Sequence, residues 1–370
     1  MTMDYMYLHL TVLFLNSMGI VLLTGALVFR SIVMSPALRT LDASSPERES
    51  VENEGLRTLK RSTGILLIIL VAVSAADLTL RAQMMSRKPL LEVGAVIPLV
   101  LTKTHIGKVW LFKMASLGWL LLCLPFLGPK SRPAVQILAL LGALGLCLSS
   151  SLAGHAADRG DVAVPVLADW LHVVSLSAWI GALFPLRFLL PKLLTLIDRK
   201  RRLKFESALV GRFSIFAVYC VAILLLSGSY LAWLRLRTVA NLFSTSYGAT
   251  LLFKISFLLP VLVLGAINRY YVRPSLQDLA GEPAPESWAE GAVKRVVSSF
   301  GGTNNDQDFR RLQLRYGSEQ MAMVHLKLFV ALQCLIAVLV VGLGTSLSQT
   351  SPPDLKKMDA PESSSGMQGM

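Results

Sequence analysis

Two histidines stand at the head of membrane-length apolar runs. His9 opens the run YLHLTVLFLNSMGIVLL, and His172 opens LADWLHVVSLSAWIGALFPL. A polar, ionisable side chain at the lip of such a run marks a functional candidate. His105 and His155 flank two further apolar runs, and His325 begins the last. Neutral imidazole suits copper and zinc, and thioether sulfur adds softness for Cu(I). Met1, Met3 and Met6 precede His9, and Met358, Met367 and Met370 lie in the C-terminal tail. No HxxxH, HExxH or Cys/His quartet is present, so any metal ligands have to converge from separate segments. The competing reading of each histidine is a hydrogen-bonded interfacial anchor.

Charged residues inside the apolar runs are the next candidates. Asp169 precedes His172 by three residues, which puts the two on one helix face. It can hold the imidazole NH and fix which nitrogen faces a metal, or it can cap the helix start. Asp77 has Arg81 four residues on, within reach of neutralisation. Lys113 and Lys254 each lie about eight residues, or about 12 Å, inside a run. A buried ammonium must pair or snorkel, and Asp77–Lys113 is one such pair. The four cysteines are scattered through apolar runs with no CxxC, as packing residues would be.

These residues need elements to position them. The chain is 54% hydrophobic and 16% charged, which fits a multi-pass membrane protein. Eight runs are long enough to cross roughly 30 Å of hydrocarbon: about 8–29, 62–83, 106–127, 134–153, 168–190, 212–234, 249–271 and 324–347. Each must be helical, because lipid offers backbone groups no partners. Alternating the loops between two sides places 24 Lys and Arg on one side and ten on the other. The richer side is expected in the cytoplasm, with both termini outside. The net charge of +13 is then topogenic and does not call for nucleic acid. The first run lacks a basic n-region and reads as a retained span.

The two halves repeat. Thr104-His-Ile-Gly107-Lys-Val-Trp-Leu111-Phe112-Lys113 aligns without a gap on Thr245-Ser-Tyr-Gly248-Ala-Thr-Leu-Leu252-Phe253-Lys254, with five identities. Arg61 then corresponds to Arg212, and Leu8-His9 to Leu171-His172. Four spans per half keep the halves in one orientation, so a pseudo-twofold axis along the membrane normal is expected. The expected units are 1–155 and 156–350, the second carrying a cytoplasmic loop at 274–320, with a disordered outer tail at 351–370. Residues 36–60 suggest a short surface helix, and Trp288–Phe300 an interfacial amphipathic one.

Several segments resemble the copper resistance D (CopD/PcoD) family of bacterial inner-membrane proteins. They are Leu167-Ala-Asp-Trp-Leu-His172 through Trp179-Ile-Gly181, Arg212-Phe-Ser214 leading to Gly228 and Trp233, Tyr247-Gly248 to Lys254, and Asn268-Arg269. Gly154-His155-Ala156 and Thr104-x-x-Gly107 look alike too. The resemblance covers roughly 100–347 well and the first span loosely. It implies eight spans and copper handling, usually uptake from the periplasm, with periplasmic partners of the CopC type. His155 and His172 match best as candidate ligands, His9 follows by the repeat, and His105 matches less closely. No fused CopC-like β-domain is present, so such a partner would be a separate chain.

The function expected is copper transport through a site at the outer side, formed by His172, His155 and His9, without enzymatic chemistry. No Walker A or DKTGT sequence supports ATP-driven pumping. Two alternatives stay open. One is a membrane redox protein with histidines as axial haem ligands. The other is an assembly or chaperone protein that binds copper without moving it.

Overall fold

The computed structural model describes residues 3–42, 45–129, 131–279 and 319–349, and all regular structure among them is helical. Among the described residues, eight helices are long and apolar enough to cross a membrane. They are α1 (Met3–Val28), α2 (Pro46–Ser86), α3 (His105–Cys123), α4 (Pro133–Leu152), α5 (Val164–Phe188), α6 (Arg199–Leu236), α7 (Ser246–Ile267) and α8 (Glu319–Gln349). The eight runs expected from the sequence each fall on one of them. The end of the bundle where α1 begins is called the near end below, and the opposite end the far end.

Two helices outrun the membrane. α2 has 41 residues and α6 has 38, roughly 60 Å each against about 30 Å of hydrocarbon. Residues 46–60 are therefore the first turns of α2, which corrects the separate surface helix expected at 36–60. Ser45 starts α2 by accepting from the Arg48 N–H at 3.2 Å, and Pro46 sits at its first position, where a missing N–H costs nothing. The amphipathic stretch expected at Trp288–Phe300, and the tail with Met358, Met367 and Met370, lie outside the described residues, as does Met1.

Helix ends at the near side recur in pairs. α2 ends on Arg87 at φ 56° and α6 on Arg237 at φ 60°, the described non-glycine residues with positive φ. α3 and α7 both start from a threonine whose hydroxyl accepts the N–H of the glycine three residues on, Thr104 to Gly107 and Thr245 to Gly248, each at 3.0 Å. A short helix precedes each threonine, Ile97–Lys103 and Ala240–Ser244. Its last carbonyls crowd the glycine. A Cβ at Gly107 would fall 2.1 Å from the Val100 oxygen, and one at Gly248 2.3 Å from the Leu242 oxygen. Both turns therefore require glycine at that place.

α1 and α5 form the centre of the bundle. They cross at Gly25 and Gly181 with backbones touching: a Cβ on either glycine would lie 2.0 Å from the other helix. Small residues let membrane helices approach this closely, where dispersion replaces the absent hydrophobic drive. α2 packs on α1 and α6 on α5, while α4 and α8 each contact both central helices. α3 packs on α4 and α2, and α7 packs along α8. α1 is the most enclosed span, with 78% of its apolar window buried, and α7 the least, with 6%. Trp110 and Trp170 fasten neighbours by donating to the Ser74 and Leu144 carbonyls, at 2.7 and 3.0 Å.

Candidate functional site

Two polar clusters sit inside the bundle toward its near end. The first gathers His9 of α1, Asp77 and Arg81 of α2, and Lys113 of α3. His9, Asp77 and Lys113 are all buried. The Arg81 Nε donates to Asp77 Oδ1 at 2.9 Å, and His9 Nε2 lies 3.6 Å from the same oxygen. Lys113 adds its charge to the same carboxylate. The i,i+4 neutralisation of Asp77 by Arg81 expected from the sequence is present. Lys113 is buried nearby and acts on Asp77 through its charge, not through a contact ion pair.

The second cluster gathers Asp169 and His172 of α5, Ser227 of α6, and Lys254 of α7. His172 is half-buried. Its Nδ1 lies 3.1 Å from the Leu224 carbonyl and 3.3 Å from the Ser227 hydroxyl oxygen. Gly228 completes this seat, since a Cβ there would stand 3.0 Å from the imidazole Cε1. Lys254 is near enough to act on both Asp169 and His172, and Arg235 also acts on Asp169. Arg235 lies over the ring of buried Tyr247, 6.0 Å from its centroid.

Asp169 plays neither role expected for it. The residue at the N-cap of α5 is Ala163, so Asp169 lies in the second turn, where the first N–H groups are already passed. The His172 Nδ1 is taken by α6, and Asp169 faces Ser151 of α4 and the Lys254 charge instead.

Both clusters hold one histidine from a central helix, one lysine eight residues into a later helix, and one aspartate. The aspartate changes places. In the first cluster it comes from the second helix, at Asp77. In the second cluster that helix carries Gly228 and Ser227, and the carboxylate comes from α5 itself.

His105 and His155 stand apart from these clusters, exposed at the near end. His105 Nε2 meets Asp161 Oδ1 at 2.8 Å, and His155 Nδ1 meets Asp158 Oδ2 at 3.2 Å. Both partners belong to the short stretch after α4. His325 lies at the far end with its ring 5.7 Å from that of Phe329. Among the described residues, no three His, Cys, Asp or Glu side chains gather closely enough to hold a metal ion. His9, His155 and His172 thus occupy three separate places in this structure, not one shared site. All four cysteines are buried and unbridged, with Cys147 3.7 Å from the Thr24 hydroxyl.

The sequence did not single out several buried polar residues. Asn16 of α1 is buried between the clusters and the Gly25 crossing. Arg30 is buried where α1 continues as a wider turn at Phe29–Met34, and donates to the Gly128 carbonyl and the Ser131 hydroxyl at 3.0 and 2.7 Å. Glu206 of α6 is fully buried. Their one visible signal was polarity within or beside an apolar run.

Eight spans with ionisable residues enclosed among them define a multi-pass membrane protein. Residues 3–164 match the family described as copper resistance protein D-like, N-terminal domain, and residues 207–299 match copper resistance protein D. The chain belongs to the copper resistance protein D family, a family of copper resistance and transport membrane proteins. It is 33% identical over 155 residues to the copper transport protein CutJ of Bacillus subtilis, a match covering 42% of this chain and 28% of CutJ. The chain thus spans little more than a quarter of that relative. It is 26% identical to copper resistance protein D of Pseudomonas syringae pv. tomato, over 62% of this chain and 74% of the relative. It is 27% identical to the inner membrane protein YebZ of Escherichia coli, over 54% and 68%. No solved structure matches the chain significantly.

Proposed function

We propose that this chain moves copper ions across the bacterial inner membrane, from the periplasm toward the cytoplasm. The observation that carries this reading is the pair of His–Asp–Lys clusters at the same end of a copper-family membrane protein. Each offers an imidazole of the right softness for copper. Each also balances the charge of its lysine with a carboxylate, so the cation meets less repulsion than the lysine alone would impose. His172 is the copper station of this path, and His9 stands beside Asp77 in the matching cluster. Exposed His105 and His155, each beside a carboxylate, receive the ion first, from a separate periplasmic copper-binding protein of the CopC type.

The proposed frame is two four-helix units, 1–155 and 156–350, related by a pseudo-twofold axis along the membrane normal. Three things support it: the matching positive-φ arginines, the matching threonine caps and the helix neighbours. α1, α2, α3 and α4 find counterparts in α5, α6, α7 and α8, and the helix neighbours correspond, with α3 packing more on α2 than α7 does on α6. The lysine and arginine count supports both termini, and hence the near end, facing the periplasm.

The test is copper accumulation in cells expressing wild type or His172→Ala at matched membrane levels. The expected result is a several-fold drop for the variant; equal accumulation would remove His172 from the path. An optical spectrum of the purified protein separates the redox reading, since a Soret band lost with His172 would mean haem in place of transported copper.

A further inference from the structure

The seat of His172 is specific at the level of single atoms. A carbonyl oxygen can only accept a hydrogen bond. The contact between Nδ1 and the Leu224 carbonyl at 3.1 Å therefore requires the hydrogen on Nδ1. The second contact agrees. Ser227 Oγ lies 2.6 Å from the Ile223 carbonyl and spends its own hydrogen there, so it too is an acceptor toward Nδ1, at 3.3 Å. A neutral imidazole carries one hydrogen. With that hydrogen on Nδ1, the lone pair sits on Nε2, which hydrogen-bonds to none of the described residues.

His9 is turned the other way. Its Nε2 is the nitrogen directed at a partner, Asp77 Oδ1, 3.6 Å away. This follows from the residue on the second helix of each half. An aspartate there draws the ring nitrogen, whereas Gly228 leaves room for the ring to lie against α6, where only backbone oxygens and a hydroxyl meet it. The nearest cation to His172 is Lys254, and Asp169 offsets it.

From this geometry we propose that His172 takes Cu(I) through Nε2, that Leu224 and Gly228 are positioning residues which fix that nitrogen as the ligand, and that His9 is not an equivalent ligand. The proposal rests on the copper reading above. The metal ligand is a neutral imidazole nitrogen whose opposite N–H is held by a fixed acceptor, an arrangement that orients the ring and raises its basicity.

The test uses the full chain in lipid bilayers, labelled with 15N-histidine, and reads the ring nitrogens by solid-state NMR before and after Cu(I) is added. The His172 signals are assigned by difference with His172→Gln. Before metal, Nδ1 is expected in the protonated range and Nε2 in the lone-pair range. Cu(I) is expected to shift the His172 Nε2 signal and leave both His9 signals in place. Gly228→Ala pushes a methyl group into the ring, so it should erase the fixed Nδ1–H signature and weaken Cu(I) binding at least tenfold. Ser227→Ala keeps the Leu224 acceptor and should keep the signature. A lone pair on Nδ1 in the metal-free wild type overturns the proposal while leaving the copper reading intact, and so does a Cu(I) shift at Nδ1 or at His9. No shift at any histidine overturns both.

Discussion

Asp77 faces Arg81, Lys113 and His9 inside the span of a membrane helix, and everything near it is arranged around its charge. Removing one member of a buried ion pair leaves the other uncompensated, typically at about 3–5 kcal/mol. Asp77→Asn is therefore expected to lower the detergent melting temperature sharply, because two cations lose their shared partner. Adding Lys113→Met should recover part of the loss, and a double variant no more stable than the single one would contradict the charge coupling of Lys113 to Asp77. The Asp77–Arg81 contact was legible in the sequence, because residues four apart on a helix must be neighbours. The surroundings of His172 were not. Its partners Leu224 and Ser227 are on another helix, and one of them is a backbone carbonyl that no residue type announces. The expectation for Asp169 failed for the same reason: sequence neighbours were visible, and the competing acceptor on α6 was not.

Among the elements, the crossing of α1 and α5 tolerates least. Gly181→Leu or Gly25→Leu must force the two backbones apart, and is expected to leave little folded protein by size-exclusion of the membrane extract. A monodisperse variant at wild-type yield would show that the crossing is dispensable. The threonine caps are milder. Thr104→Ala and Thr245→Ala should each cost about 1 kcal/mol, seen as small and similar shifts in the unfolding midpoint. Span positions were readable because hydrocarbon thickness sets a length that apolar runs must meet. The extension of α2 below its span carried a different signal, Ser45-Pro46 at a helix start, that hydropathy ignores. Residues 46–60 mix Glu with Arg and look like a loop to a search for apolar residues.

For the whole molecule, the orientation gives the cleanest expectation. Val162 and Leu91 are fully exposed at the near end, and Thr195 is exposed at the far end. The four native cysteines are buried and give little background. In intact spheroplasts, Val162→Cys and Leu91→Cys should react with a membrane-impermeant maleimide, and Thr195→Cys only after permeabilisation. The reverse pattern would invert the proposed topology. The count of spans could be read from the sequence, since the apolar runs recur along the chain at membrane length. The helix neighbours could not, because lipid-facing and protein-facing surfaces of a span are equally apolar.

The placement of α1 at the centre also has a consequence in time. Its main partner, α5, starts at Val164, some 135 residues after α1 ends. At typical synthesis rates of about 5–20 residues per second that interval is roughly 7–27 s. Throughout it, α1 must wait in the membrane with His9, Asn16, Thr24 and Arg30 lacking the neighbours that later enclose them. The first half can supply some, since Asp77 comes from α2, the Thr24 contact from α4 and the Arg30 acceptors from the turn before α4. The early helices thus serve as a holding frame for α1, and Gly25 stays bare until the second half is made.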